Sequence, residues 1–138
     1  MLRFNANLTT MYGKLPVLEA LEKARDDGFA AVECRTPFAD PKEVVAARLS
    51  ELGLTMVQFN TPMGDFAAGE RGFACLPDRT EDFRASVDLS VEYAKALGCS
   101  QVNCPAGKLP AGASFGDIEA VLADNLKFAA RRFADAGI

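Results

Sequence analysis

Apolar side chains recur every three or four residues in four stretches of the chain, and this spacing predicts four amphipathic helices. Short apolar segments that resemble strands lie between the stretches. The apolar positions predicted to face the core are Val17, Leu18, Leu21 and Ala24, then Val44, Val45, Leu49 and Leu52, then Phe83, Val87, Val91, Ala94 and Leu97, then Ile118, Val121, Leu122, Leu126, Ala129 and Phe133.

A glycine separates each helical stretch from the segment that follows it. Glycine commonly closes the last turn of a helix because it adopts the left-handed conformation without strain. The joins are Gly28 before residues 29–33, Gly53 before 54–59, Gly98 before 99–103, and Gly137 before Ile138. Helix starts are marked by Asp40 as the N-cap before Pro41, by Thr80, and by Ser114 with Asp117.

The predicted order is β-α-β-α-β-α-β-α, with a first strand at residues 2–7. Strands that alternate with helices of this length imply right-handed crossovers and a parallel sheet. Two α/β architectures fit, a small doubly wound sheet and part of a (β/α)₈ barrel. No G-x-G-x-x-G motif follows the first strand, which disfavours dinucleotide binding.

The length and the C-terminal pattern favour the barrel. A (β/α)₈ barrel typically has about 250 residues, and this chain has 138. A helix that ends at Gly137 before Ile138 is typical of the approach to a further strand. We therefore expect residues 1–138 to form one domain, the amino-terminal half of a TIM barrel with four β-α units in the order 1-2-3-4, ending where a fifth strand would start.

The composition is that of a globular domain, with 49% hydrophobic and 25% charged residues. The formal net charge is -4, and acidic and basic residues are interspersed, so no basic patch for nucleic acid is evident. The N-terminus lacks the pattern of a signal peptide, and no run of 18 apolar residues occurs. These features predict a cytoplasmic protein with neither a nucleic-acid nor a membrane partner.

The absence of histidine limits the possible chemistry. Catalytic triads of the Ser-His-Asp and Cys-His kinds are excluded because both need an imidazole base. The four cysteines contain no C-x-x-C pair, so we expect reduced, mostly buried thiols and no zinc site. Any catalysis must depend on carboxylates, Lys, Tyr, Cys or a metal ion.

Polar residues follow the predicted strands, and in parallel α/β folds the carboxyl ends of the strands form the functional site. Side chains of this kind also bond to nearby backbone, so a purely structural role stays open for each one. The candidates are Asn7 after strand one, Glu33 and Arg35 after strand two, Gln58 and Asn60 after strand three, and Asn103 and Lys108 after strand four.

The connection from Thr61 to Arg79 is long, and long loops are often functional. In it, Glu70 and Arg71 are predicted to form a charge pair between two glycines. Arg71 is a candidate for binding a carboxylate substrate, with a surface salt bridge as the alternative. Lys108 lies in a segment that lacks the residues of a phosphate loop, so it is a candidate only for attracting an anionic substrate or for solvation.

Three segments resemble the hydroxypyruvate isomerase family, which includes 2-oxo-tetronate isomerases and belongs to the xylose-isomerase-like barrels. They are MLRFNANL at 1–8, FNTPMGDFAAGERG at 59–72 and NCPAGK at 103–108. The resemblance implies a (β/α)₈ barrel that interconverts hydroxypyruvate and tartronate semialdehyde through an enediolate. It also implies a divalent ion, Mg²⁺ or Mn²⁺, in the complete barrel, held by a Glu pair with Asp and His or Gln.

The family's first metal-binding and catalytic Glu would follow Ile138, so the resemblance assigns no catalytic residue and no metal ligand to this chain. The chain matches the substrate side of the family's site. We therefore expect a small anionic sugar acid as the ligand, no turnover by the chain alone, and a homo-oligomer formed through exposed sheet edges. A non-catalytic half-barrel that serves binding or assembly is the alternative. The expected substrate contacts are Arg71, Glu70, Asn60, Lys108, Asn103, Asn7 and Glu33.

Overall fold

The computed structural model describes residues 2–138, so Met1 of the first resembling segment lies outside the described residues. Four parallel strands form one sheet in the order β1-β2-β3-β4, as the sequence predicts. A short 3₁₀ turn at Pro77–Arg79 precedes the fourth helix. The strands are β1 (Ala6–Asn7), β2 (Ala31–Cys34), β3 (Thr55–Asn60) and β4 (Val102–Asn103), and the helices are α1 (Leu8–Met11), α2 (Val17–Asp26), α3 (Lys42–Leu52), α4 (Thr80–Leu97) and α5 (Phe115–Ala134).

The glycine joins have the predicted conformation. Gly28, Gly53, Gly98 and Gly137 all have positive φ angles, between 63° and 90°. At Gly53 the backbone is left-handed and its N–H bonds back to the last turn of α3. The helix ends here because a side chain would be strained in this conformation, and the chain turns directly into β3.

One compact unit comprises the chain up to Phe59 together with Glu92–Val102. In its core, α2 packs against α3 and buries Leu21 and Val45. The ring of Phe38 makes edge contacts with Phe59 and Tyr93, at centroid distances of 5.8 and 4.8 Å. These contacts bury the helix-facing side of the first strands.

The second unit comprises Asn60–Val91 and Asn103–Ile138. Phe83 and Val87 of α4 and Ile118 and Phe133 of α5 are buried in it. α5 begins after Ser114, at the predicted helix start, and a capping box joins Ser114 and Asp117 through their backbone and side chains. The long connection 61–76 belongs to this unit.

Three local predictions are wrong. The first strand covers only Ala6–Asn7 instead of residues 2–7, because within this segment only these two residues pair with β2, opposite Val32 and Glu33. Pro41, rather than Asp40, is the N-cap of α3, and it makes no side-chain cap bond. Val44 and Leu126, predicted to be buried, are 43% and 40% exposed. Each is one residue, and therefore about 100° around the helix, from a fully buried neighbour.

Candidate functional site

In the first unit, Glu33 is held by two asparagine amides. Parallel pairing places Asn7 of β1 beside Glu33 of β2. Asn7 Nδ2 donates to Glu33 Oε1 at 2.6 Å, and Asn5 Nδ2 donates to Glu33 Oε2 at 3.2 Å. Each carboxylate oxygen keeps further acceptor capacity, so this half-buried group can accept a hydrogen bond from a hydroxyl.

Asn5 was not among the predicted contacts. It lies two residues before Asn7, and side chains two apart lie on the same face of an extended chain. The Asn-x-Asn spacing before a short helix was the signal that could have found it. Asn7 also has the structural role of capping α1, and the Arg35 backbone N–H bonds to Thr9 Oγ1 at 2.8 Å. Gln58, the other predicted candidate here, pairs with Glu33 across β2 and β3.

In the second unit, Asn60 and Asn103 meet at the ends of β3 and β4. Asn103 Nδ2 donates to Asn60 Oδ1 at 3.0 Å, and the Thr61 N–H donates to the Asn103 carbonyl at 2.9 Å. Asn60 Nδ2 also lies 3.4 Å from the Met63 sulfur. These bonds fix the point at which the long connection leaves β3.

The predicted Glu70–Arg71 charge pair is wrong. Glu70 Oε1 accepts from Arg79 Nη1 at 2.7 Å, and its Oε2 accepts from the Asp65 N–H at 2.6 Å. These two hydrogen bonds hold the pKa of Glu70 below its usual range. The bond from Arg79 has the larger effect, and the bond from the Asp65 N–H has the second largest. Glu70 therefore pairs with Arg79, nine positions along the chain, and Arg71 is left without this carboxylate.

Arg71 is held by backbone oxygens instead of a carboxylate. Its Nη1 donates to the carbonyls of Phe66 and Glu70 at 3.0 and 2.6 Å, and its guanidinium lies 3.5 Å from the Phe66 ring centroid. Across residues 2–138, no acidic group lies within ion-pair distance of Arg71. Nη2 and Nε of this half-buried side chain are therefore left for an added anion, which is a suitable geometry for a carboxylate.

Gly72 and Gly107 let the connection pack closely on the 104–108 segment. A Cβ at Gly72 would collide with the Pro105 carbonyl, and a Cβ at Gly107 would lie 2.7 Å from the Gly72 carbonyl oxygen. Cys75 N–H bonds to the Ala106 carbonyl at 2.7 Å. A Cβ placed on Gly69 would lie 3.5 Å from Lys108 Nζ, so the ammonium of this exposed lysine lies against the Gly69–Gly72 turn. The loop therefore brings two predicted cations, Arg71 and Lys108, to one segment.

Neither a metal site nor a reactive thiol is formed by the described part of the chain. Within residues 2–138, no three His, Cys, Asp or Glu side chains come together in a geometry that could hold a metal ion. The cysteines are free; Cys34, Cys75 and Cys99 are buried and Cys104 is half-buried. Burial raises the pKa of Cys34 to about 12 and that of Cys104 to about 11.

No helix in residues 2–138 is long and apolar enough to span a membrane.

A parallel sheet of β-α units with polar residues at the strand ends occurs in TIM barrels and in doubly wound sheets, and the family comparison distinguishes between them. The family model described as "Xylose isomerase-like TIM barrel" matches residues 21–138. The chain belongs to this family.

Individual relatives within this family match the chain over almost all of its length. The chain is 45% identical over 130 residues to the hydroxypyruvate isomerase of Escherichia coli (strain K12). The aligned region covers 94% of this chain and 50% of the relative. It is 41% identical over 136 residues to the 2-oxo-tetronate isomerase of Pectobacterium atrosepticum, covering 99% of the chain and 52% of the relative. The resemblance to this isomerase family is thereby confirmed.

A solved structure agrees with the fold. The crystal structure described as an AP endonuclease, family 2, from Brucella melitensis superposes with a TM-score of 0.92 at 39% identity. The match covers 100% of this chain and 53% of that structure. The chain thus spans about half the length of the relatives that it matches, and its four β-α units are half the number in a (β/α)₈ barrel.

Proposed function

We propose that this chain supplies the substrate-binding side of a sugar-acid isomerase of the hydroxypyruvate or 2-oxo-tetronate type, and that Arg71 binds the substrate carboxylate. The observation that carries the proposal is the state of Arg71, which is oriented by two carbonyls and a ring but has no acidic partner within residues 2–138. A guanidinium held in this way is preorganised for a planar anion, since little side-chain entropy remains to be lost on binding.

The reaction of this class moves a proton between two adjacent carbons through an enediolate. In hydroxypyruvate the carboxylate does not react, so its role is to position the carbonyl and the hydroxymethyl carbon. Arg71 would hold the carboxylate, and Lys108 would add a second positive charge beside it. We propose Glu33, whose carboxylate accepts hydrogen bonds from Asn5 and Asn7, as an acceptor for a sugar-acid hydroxyl within the first unit.

A divalent ion in such a barrel would stabilise the developing enediolate oxygen. The described residues bring no suitable set of ligands together, so they do not fit this ion. We therefore assign this chain a role in binding and orienting the substrate, and we assign none of its residues as the base that moves the proton.

The proposal can be tested by titrating the ¹⁵N-labelled chain with hydroxypyruvate and following amide chemical shifts. Dihydroxyacetone, which has a hydroxymethyl group in place of the carboxylate, serves as the neutral control. We expect saturable shifts around Gly69–Gly72 with hydroxypyruvate and much weaker binding of dihydroxyacetone. Arg71→Ala should weaken hydroxypyruvate binding by about tenfold or more, since a charge-assisted pair is lost.

The exposed Lys14 provides the matched variant, because Lys14→Ala removes one positive charge elsewhere. Equal and small effects of the two substitutions would contradict the role of Arg71. The alternative is a non-catalytic half-barrel that serves binding or assembly, and the exposed apolar residues Leu2 and Phe4 favour its assembly form. The assembly form predicts no saturable binding of hydroxypyruvate by the folded chain.

A further inference from the structure

We infer that Arg79 is a positioning residue, which orients Arg71 through Glu70. The inference rests on the proposed function, because it concerns how the carboxylate-binding arginine is held. Arg79 ends the 3₁₀ turn Pro77–Arg79 and directly precedes α4. It is eight positions from Arg71 in the sequence and belongs to a different local structure.

Arg79 is itself fixed on three sides. Its Nη1 donates to Glu70 Oε1 at 2.7 Å, and its Nε pairs with Asp82 in the first turn of α4. Its guanidinium lies 4.3 Å from the ring centroid of the buried Phe73. A cation with contacts on this many sides has little rotational freedom, so it can act as a fixed anchor for the loop.

Glu70 transmits this anchoring to Arg71. Its second carboxylate oxygen accepts from the Asp65 N–H at 2.6 Å, and its own N–H donates to the Asp65 carbonyl at 2.9 Å, which closes the 65–70 segment on itself. The Glu70 carbonyl accepts from Arg71 Nη1 at 2.6 Å. Fixing the Glu70 side chain therefore fixes one of the two carbonyls on which the Arg71 guanidinium lies.

Gly64 provides the space that this arrangement needs. A Cβ at position 64 would collide with the Glu70 carboxylate and lie 2.9 Å from an atom of the Phe73 ring, and the φ angle of Gly64 is +81°. Only glycine accommodates both the backbone conformation and the carboxylate. Glu70 is thus enclosed by Gly64 and Arg79.

A partly exposed ion pair normally contributes little to folding stability. A purely structural Glu70–Arg79 pair would therefore affect neither melting nor ligand binding much. A positioning role predicts something different: loss of the pair should weaken ligand binding clearly while the melting temperature changes little. It also predicts that Arg79 matters only while Arg71 is present.

The test is a double-mutant cycle with hydroxypyruvate binding and thermal melting as readouts. The variants are Arg79→Gln, Arg71→Ala and the double substitution. Arg84→Gln is the control, because Arg84 is an exposed arginine of α4 that also has an acidic partner, Glu81, at 3.4 Å. We expect Arg79→Gln to weaken binding several-fold and Arg84→Gln to have no effect. The double variant should bind no more weakly than Arg71→Ala alone, and Arg79→Lys should restore part of the affinity.

Two results would overturn the inference: additive effects of Arg71→Ala and Arg79→Gln, or unchanged binding in Arg79→Gln. In the second case a strong effect of Arg71→Ala would leave the proposed function standing, whereas no effect of Arg71→Ala would refute the proposed function itself. If Arg79→Gln does not fold at the assay temperature, Arg79→Lys replaces it in the same cycle, and additivity or unchanged binding again refutes the inference.

Discussion

The buried Asn125 of α5 offers a direct test of how the long connection 61–76 is held. Asn125 is 2% exposed, and its Nδ2 donates to the carbonyl of Ala74, which is fully buried, at 3.0 Å. The next residue, Cys75, bonds through its N–H to the Ala106 carbonyl. Asn125 therefore fixes Ala74, which lies near the end of the 61–76 connection and three residues after Arg71.

The substitution Asn125→Ala should destabilise the chain by about 1–3 kcal/mol, because it leaves the buried Ala74 carbonyl without its donor. For a chain of 138 residues, this corresponds to a fall in melting temperature of roughly 3–12 °C. Asn125→Asp keeps the size of the side chain but places an acceptor against the carbonyl. At neutral pH the buried carboxylate should be at least as destabilising as the alanine.

Thermal melting followed by circular dichroism measures both effects. The control is Asp124→Ala, which removes the neighbouring exposed side chain on the same helix and should change the melting temperature little. For Asn125→Asp, burial raises the folded-state pKa, so the destabilisation should diminish as the pH falls and the protonated acid donates to Ala74. A melting temperature for Asn125→Ala within about 1 °C of the unchanged chain would refute the reasoning.

Three further expectations concern pH, turnover and assembly. The pKa of Glu70 is lower in the folded chain than in the unfolded chain, where it is about 4.3. Its bond to Arg79 is therefore fully present at pH values above about 4.3 and is lost as the pH falls through the folded-state pKa. Hydroxypyruvate binding measured at falling pH should therefore hold down to about 5 and weaken only below about 4.3, and a midpoint near 6 would contradict this. An assay of hydroxypyruvate conversion should give the buffer rate with or without added Mg²⁺ or Mn²⁺, and turnover that a chelator removes would contradict the absence of a ligand set. Light scattering should give a dimer or larger species, since Leu2 and Phe4 expose 83% and 73% of their surface just before edge strand β1. A monomer at high concentration would argue against this.

Repeated local signals predicted the fold. Gly53 and Gly98 have the left-handed conformation expected at helix ends, and α5 begins after Ser114, where a helix start was expected. Such signals depend on a few neighbouring residues, and for this reason sequence reasoning can find them. The exposed Val44 shows the limit of this reasoning. The apolar spacing predicts which face of a helix is buried, but it does not show which residues at the border of that face are exposed.

The candidate site was predictable in position but not in its pairing. Strand ends indicated Asn7, Glu33, Asn60 and Asn103, and the structure joins them as two separate pairs, Asn7 with Glu33 and Asn60 with Asn103. The pairing within the loop 61–76 has no periodic signal, since it depends on where positive-φ glycines reverse the chain. A charged residue in such a segment can find a partner many positions away.

The wrong prediction for Glu70 has a chemical consequence. Had Glu70 paired with Arg71, the guanidinium would already have had a carboxylate partner, and a ligand would have had to displace it. Arg79 instead takes Glu70, and Arg71 is left with backbone carbonyls. Carbonyls orient a guanidinium without cancelling its charge, so the electrostatic attraction for an added carboxylate is retained. The ion pair between Glu70 and Arg79 therefore supports the proposal that Arg71 binds the substrate carboxylate.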